Sequence, residues 1–248
     1  ERKKDAIAYL ETHAKVHGCS KIICNRLLSI YSNENNIDAL LRIYLKLFEM
    51  DKNEKIAQKI TQIYGYTKDY LNLISFLEDN RNDDKLLLQM YMQSRNYKKA
   101  ALLAQKLYEK TGDATYLGQS AIFEYEGSEK KDQESMHKSV VKKLKKVVSL
   151  EPKALYYNYL GYLLIDHSID IKSGLEYVEK ALEIEPSSVY YLDSKAWGYY
   201  KLGRCKDAYK IMEKIVKMDG GDEKEVQEHY KIIKKCIVNP GWHIKNIK

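Results

Sequence analysis

Proline is scarce in this chain, with three in 248 residues, and no Asn-Gly or Asp-Gly pair sits between alternating apolar runs. That shortage of hairpin punctuation argues against an all-β architecture. No apolar run reaches the ~20 residues that a bilayer-spanning helix needs. A glycine-rich phosphate loop is missing, and no serine or cysteine sits in a nucleophile elbow. Histidines number six. His13 and His17 share a helix face, but no protease-type glutamate lies between them, and two histidines alone make a poor metal site. The Cys19–Cys24 spacing does not match the common zinc patterns. From these absences no catalytic residue, metal or cofactor is expected, and the chain reads as a non-enzyme. It opens at Glu1 without an initiator methionine or a visible signal peptide, which reads as a piece of a longer protein.

What is present is enough for a core. Apolar residues make up 44% of the chain, too many for a disordered segment. Tyrosine is heavily used, at 22 against three phenylalanines. A tyrosine fills a core edge and still offers its hydroxyl to water or a ligand. The net charge is +7, from 42 basic and 35 acidic residues mixed along the chain. The densest basic run, Lys142, Lys143, Lys145 and Lys146, lacks the interleaved arginines and aromatics of a nucleic-acid stripe. It is read as a solvated helix face.

The organising feature is a repeat. Leu150-Glu151-Pro152 ends one apolar-periodic helix, Ile184-Glu185-Pro186 ends another 34 residues on, and Asp219-Gly220 ends a third after 34 more. Stepping back from each stop, Val147, Ala181 and Ile215 fall in register. Leu144, Val178 and Met212 do the same, as do Val140, Gly174 and Ala208. Steps of three and four residues mark one face of an α-helix, written three times at a constant period.

A 34-residue period of paired helices resembles the tetratricopeptide repeat. Leu160-Gly161 with Leu164 carries the first-helix pattern, with leucine in place of the usual tyrosine, and Ala181 and Pro186 close that repeat. Leu192, Ala196, Tyr199, Ala208 and Met212 carry the next, with Leu202-Gly203-Arg204 as its turn. The likeness is strongest from about Gly127 to Gly220. Upstream, Leu88, Tyr91, Ala100 and Ala104 fit one repeat and Leu27, Ile30 and Ala39 another.

The resemblance implies an all-α, right-handed superhelical solenoid of about six helix pairs with a C-terminal capping helix. Three segments are expected: divergent pairs over 1–80, regular repeats over 81–222 with a loop insertion near 127–138, and a capping helix with a basic tail over 223–248. The tail, with Pro240, Gly241 and Trp242, is expected to cover the open end of the stack.

In such a solenoid the first helix of each pair lines a concave surface. On the repeat register that face carries Leu155, Asn158, Tyr162, Ile165 and Asp166 in one repeat. In the next it carries Tyr190, Asp193, Trp197, Tyr200 and Lys201. An aromatic groove with a few polar groups suits a peptide or protein partner, or a flanking segment of the same chain. Some tetratricopeptide domains grip a C-terminal carboxylate with inward Lys, Asn and Arg residues. Here Asn158 and Lys201 do not reproduce that set. Lys195 stands where the repeat usually has leucine and is expected to snorkel along its helix edge.

Cys205 starts the second helix of the last repeat and Cys236 ends the following helix. Antiparallel packing brings those two ends together, so the pair is a disulfide candidate. Cys19 and Cys24 flank a helix start at Ser20 and form a second candidate. Two local pairs fit an oxidising compartment; the alternative is four buried thiols. The run over 192–203 looks like those of bacterial tetratricopeptide proteins, many of which work in cell-envelope assembly, export or periplasmic motor scaffolds. A periplasmic interaction scaffold is therefore expected. The competing readings are a cytosolic adaptor, a substrate-recognition domain of a larger enzyme, and a groove for RNA or polysaccharide.

Overall fold

The structure, a computed structural model, describes residues 2–129, 131 and 133–238. All fourteen regular elements among them are α-helices, in line with about six pairs and a capping helix. The expected tail with Pro240, Gly241 and Trp242 lies outside the described residues. The chain divides into two compact units, Glu1–Ser94 and Arg95–Lys248.

The first unit holds α1 (Arg2–His17), α2 (Lys21–Asn33), α3 (Ile37–Asp51), α4 (Glu54–Tyr66), α5 (Tyr70–Asn80) and α6 (Asp84–Gln93). The sequence writes most of its boundaries with short polar side chains. Ser20, Asn36, Asn53, Asp69 and Asp83 each accept a hydrogen bond from a backbone N–H in the first turn of the helix that follows. Such caps satisfy donors that a helix start leaves open. The core of α1–α3 gathers Ala14, Cys24, Leu27, Tyr31, Ala39, Ile43 and Leu47. Tyr31 also donates to the Glu11 carboxylate on α1. Burial first, and then that bond, push the phenol up to about 12. Cys19 and Cys24 pair across the start of α2, with Cα atoms 5.5 Å apart.

The second unit holds α7 (Tyr97–Thr111), α8 (Ala114–Glu126), α9 (Glu134–Leu150) and α10 (Ala154–Asp166). It continues with α11 (Ile171–Ile184), α12 (Val189–Lys201), α13 (Cys205–Ile215) and α14 (Lys224–Val238). Each helix packs on the next, and α10, α12 and α14 also touch one another in sequence-skipping order. The repeat register is realised in full. Val140, Leu144, Val147, Gly174, Val178, Ala181, Ala208, Met212 and Ile215 are all buried.

Small residues decide how closely the helices approach. A Cβ on Gly161 would stand 2.6 Å from the Gly174 carbonyl oxygen, and one on Gly174 would stand 2.8 Å from that of Gly161. The backbones of α10 and α11 therefore meet at this glycine pair. At the far end of the unit Cys205 and Cys236 pair, with Cα atoms 5.9 Å apart, and tie α13 to α14.

The polar stretch before Val140 is shorter as a loop than its composition suggests. Glu134 already opens α9, and its pairing with Lys138 at 2.7 Å supports the first turn. The lysine run lies on α9 as a partly engaged face: Lys143 pairs with Glu124 at 2.9 Å, and Lys146 lies 5.2 Å over the Tyr108 ring. Lys195 reaches from α12 across to Glu179 on α11, 2.8 Å away.

Candidate functional site

Helices α8, α10, α12 and α14 present side chains to one cavity of about 390 Å³ in the second unit. Tyr125 and Glu126 come from the end of α8, and Asn158, Tyr159 and Tyr162 from α10. Tyr190, Asp193 and Ser194 come from α12, Glu225 and Val226 from α14, and Lys131 and Glu223 from the loops. The α10 and α12 sets repeat at three- and four-residue steps, so each is one helix face.

The cavity adjoins a more open groove of about 930 Å³, with which it shares Asn158, Tyr190 and Glu223. Leu155, Glu185, Tyr191, Met218, Asp219 and Asp222 are on its walls. Cavity and groove together carry seven carboxylates: Glu126, Glu185, Asp193, Asp219, Asp222, Glu223 and Glu225. Among the described lining residues the one opposing side chain is Lys131. A chain of net charge +7 thus has an acidic inner surface here.

The tyrosines are held by those acids. Tyr159 donates to Glu126 and Tyr162 to Glu225, both at 2.6 Å. Burial is the main reason both phenols are raised above the ordinary tyrosine range. The adjoining carboxylates add to it, through the Glu126 bond for Tyr159 and through Asp166 and Glu225 for Tyr162. Lys131 sits 3.3 Å from Glu126 and 4.7 Å over the Tyr125 ring.

Beneath the cavity lies a second layer. His229 of α14 stacks on Trp197 at 4.0 Å between ring centroids, and Trp197 stacks on Tyr200 at 4.8 Å. The indole N–H donates to Asp166 at 2.9 Å, and the Lys201 ammonium donates to the Asp166 backbone carbonyl at 2.8 Å. His229 Nδ1 meets Asp193 Oδ2 at 2.8 Å, both residues being buried. Burial disfavours a charged imidazole there. The Asp193 bond and the charges of Asp193, Glu225 and Asp166 outweigh it, and the His229 pKa is raised.

The residues expected on the concave face therefore separate into layers. Asn158, Tyr162, Tyr190 and Asp193 meet at the cavity, and Leu155 lines the adjoining groove. Trp197 and Tyr200 lie in the core rather than on an open surface: the His229 ring of α14 stacks on Trp197, which in turn stacks on Tyr200. Ile165 is fully buried in the same core. Asp166 and Lys201 hold the indole layer.

Sequence reasoning missed Tyr125, Tyr159, Glu225 and His229. Tyr159 sits one residue from Asn158, and the heavy tyrosine usage was its one signal. Glu225 and His229 bond partners 63 and 36 residues away, and no local pattern encodes those contacts.

The helix-pair geometry now decides the fold class. No protein-family model and no curated protein matches the chain. Solved structures do. Residues 41 to the end of MamA from Desulfovibrio magneticus RS-1 align over 69% of this chain and 97% of that one, at 16% identity and a TM-score of 0.56. YrrB, described as a tetratricopeptide-repeat protein with an unusual peptide-binding site, aligns over 75% and 97%, at 17% identity and a TM-score of 0.50. The chain has the tetratricopeptide-repeat fold. Cut9, from the APC/C hetero-tetramer Cut9–Hcn1, shares this repeat fold over 93% of the chain at 13% identity and a TM-score of 0.53. The chain spans about half of its length (46%). In repeat terms, α8, α10 and α12 are the first helices of successive pairs, and the cavity is built from those inner helices and α14.

Proposed function

We propose that the chain is a non-enzymatic interaction scaffold that holds a peptide or protein segment along the inner helices of its second unit. The observation that carries this reading is that the cavity and the open groove share Asn158, Tyr190 and Glu223 as walls. A closed cavity suits a small ligand, whereas a cavity beside an acidic trough suits a side chain on an extended backbone. The peptide-binding site in the description of YrrB supports the same use of a similar fold.

The two cysteine pairs support an oxidising compartment, and with it a role in a bacterial envelope assembly. Intact mass before and after reduction of protein taken from its native host checks this part. Two disulfides are expected, and four freely alkylated thiols in denatured, unreduced protein would contradict it.

The groove reading is tested by a photo-reactive residue at Tyr190. That side chain is 56% exposed and borders both cavity and groove. Crosslinked peptides are then sequenced by mass spectrometry. A recurrent segment from one partner, lost on Tyr162→Ala, is the expected result. Crosslinks confined to the protein's own full-length chain would overturn it.

A further inference from the structure

We propose that the cavity between α10, α12 and α14 recognises an arginine side chain of the bound segment, so that the partner is a basic peptide. This rests on the groove reading above and names the chemistry of its ligand.

The first observation is what the cavity wall leaves open. Two of its lining residues each hold a buried side-chain oxygen, Asn158 Oδ1 and Asp193 Oδ1, with no hydrogen-bond partner among the described residues. Asp193 is only 5% exposed. A buried acceptor without a donor carries a free-energy cost, which a donor entering the cavity could relieve if these side chains turned toward it.

Several donors nearby are already committed. Tyr159 gives its proton to Glu126, Tyr162 to Glu225, and Ser194 to the Tyr190 carbonyl. His229 Nδ1 is engaged with Asp193 Oδ2. The carboxylates on the wall outnumber the donors left over, the Asn158 amide, the Tyr190 hydroxyl and Lys131, which disfavours a carboxylate or phosphate ligand.

The second observation is charge. Glu126, Asp193, Glu223 and Glu225 oppose Lys131 alone among the described lining residues. A ligand that supplies donors and offsets this charge is a cation. The third is the ring content. Tyr125, Tyr159, Tyr162 and Tyr190 bring four π-faces to one cavity. Aromatic faces attract cations, and the planar guanidinium suits them better than a compact, strongly hydrated ammonium. A guanidinium also has five N–H donors in a fixed fork, enough to serve two unpartnered oxygens and still face a carboxylate. From there a peptide backbone would leave along the groove, where Glu185, Asp219 and Asp222 suit further basic residues.

The test is a titration of the intact 15N-labelled protein with N-acetyl-arginine methylamide, followed by amide NMR shifts. N-acetyl-citrulline methylamide, its neutral near-isostere, and N-acetyl-lysine methylamide are run alongside. The expected result is saturable shifts at Asn158, Tyr190 and Asp193 with arginine, about tenfold weaker binding of citrulline, and intermediate binding of lysine. Asn158→Leu should weaken arginine binding by about tenfold while the spectrum stays folded. Equal binding of arginine and citrulline, no shift at these amides up to tens of millimolar, or unchanged binding by Asn158→Leu would each overturn the proposal. The crosslinks from Tyr190 separate the two readings. A partner segment mapped there with no arginine response leaves the groove standing and removes only the guanidinium assignment.

Discussion

Asn158 and Asp193 show what the folded chain gives up to keep its cavity. An unpartnered buried acceptor costs about 1–3 kcal/mol, so replacing it with an apolar side chain of similar shape removes a penalty. Asn158→Leu is therefore expected to raise stability by about 1 kcal/mol, read as a higher chemical-denaturation midpoint. A lower midpoint would mean that the amide is satisfied in solution. His229 gives the second residue-scale expectation. Its pKa is raised in the fold, against burial, by Asp193, Glu225 and Asp166. A raised pKa means that the stabilisation is fully present below the unfolded value near 6.5 and is lost as pH rises through the folded value. Stability should then fall as pH is raised above about 6.5, and Asp193→Asn should flatten that dependence. A slope of the opposite sign would contradict the pairing. The residues that periodicity could find are those whose partners lie on the same helix face or at the repeat spacing. Asn158, Tyr162, Tyr190 and Asp193 were legible in this way. Trp197 and Tyr200 were placed on the correct helix but not at the correct depth: both are buried, and Trp197 is covered by His229 from another helix. Depth depends on how far α14 folds back, and the repeat pattern ends before it.

Among the elements, α10 and α11 carry the tightest constraint. Their backbones meet at Gly161 and Gly174, where a methyl group would clash with a carbonyl oxygen rather than with a flexible side chain. Gly161→Ala is expected to cost about 1–3 kcal/mol, measured by denaturation, although alanine favours an isolated helix. An unchanged midpoint would show that the helices can slide apart freely. Ala181, fully buried further along α11, should be harsher still. Ala181→Trp is expected to exceed ~3 kcal/mol and to melt the second unit. The link between α13 and α14 adds a different element-scale expectation. Cys205 and Cys236 close a loop of 31 residues. Reducing them should cost about 3–4 kcal/mol by the chain-entropy account and should raise amide exchange in α14 first. Exchange that rises evenly over the unit would mean that the bond does not act locally. The helices themselves were readable because each repeats an apolar face at one spacing. The start of α9 was harder to see, since Glu134–Ser139 carry one apolar residue, Met136, and the first turn has an ion pair but no side-chain cap.

For the whole molecule, composition points one way and the working surface another. A chain of net charge +7 suggests acidic partners, yet the inner helices of its second unit gather seven carboxylates around cavity and groove. Net charge sums over all faces, whereas a partner meets one of them. That local inversion became visible only once α8, α10, α12 and α14 were brought together, because no window of sequence contains residues from all four. The central claim is that this surface, and not the rest of the chain, receives the partner. The most direct test compares photo-crosslinking from Tyr190 with that from Tyr66, an exposed tyrosine of the first unit, in the same native extract. The account predicts a mapped partner segment rich in basic residues from Tyr190 and little or none from Tyr66. Equal yields from the two positions, or a segment dominated by acidic residues at Tyr190, would contradict it.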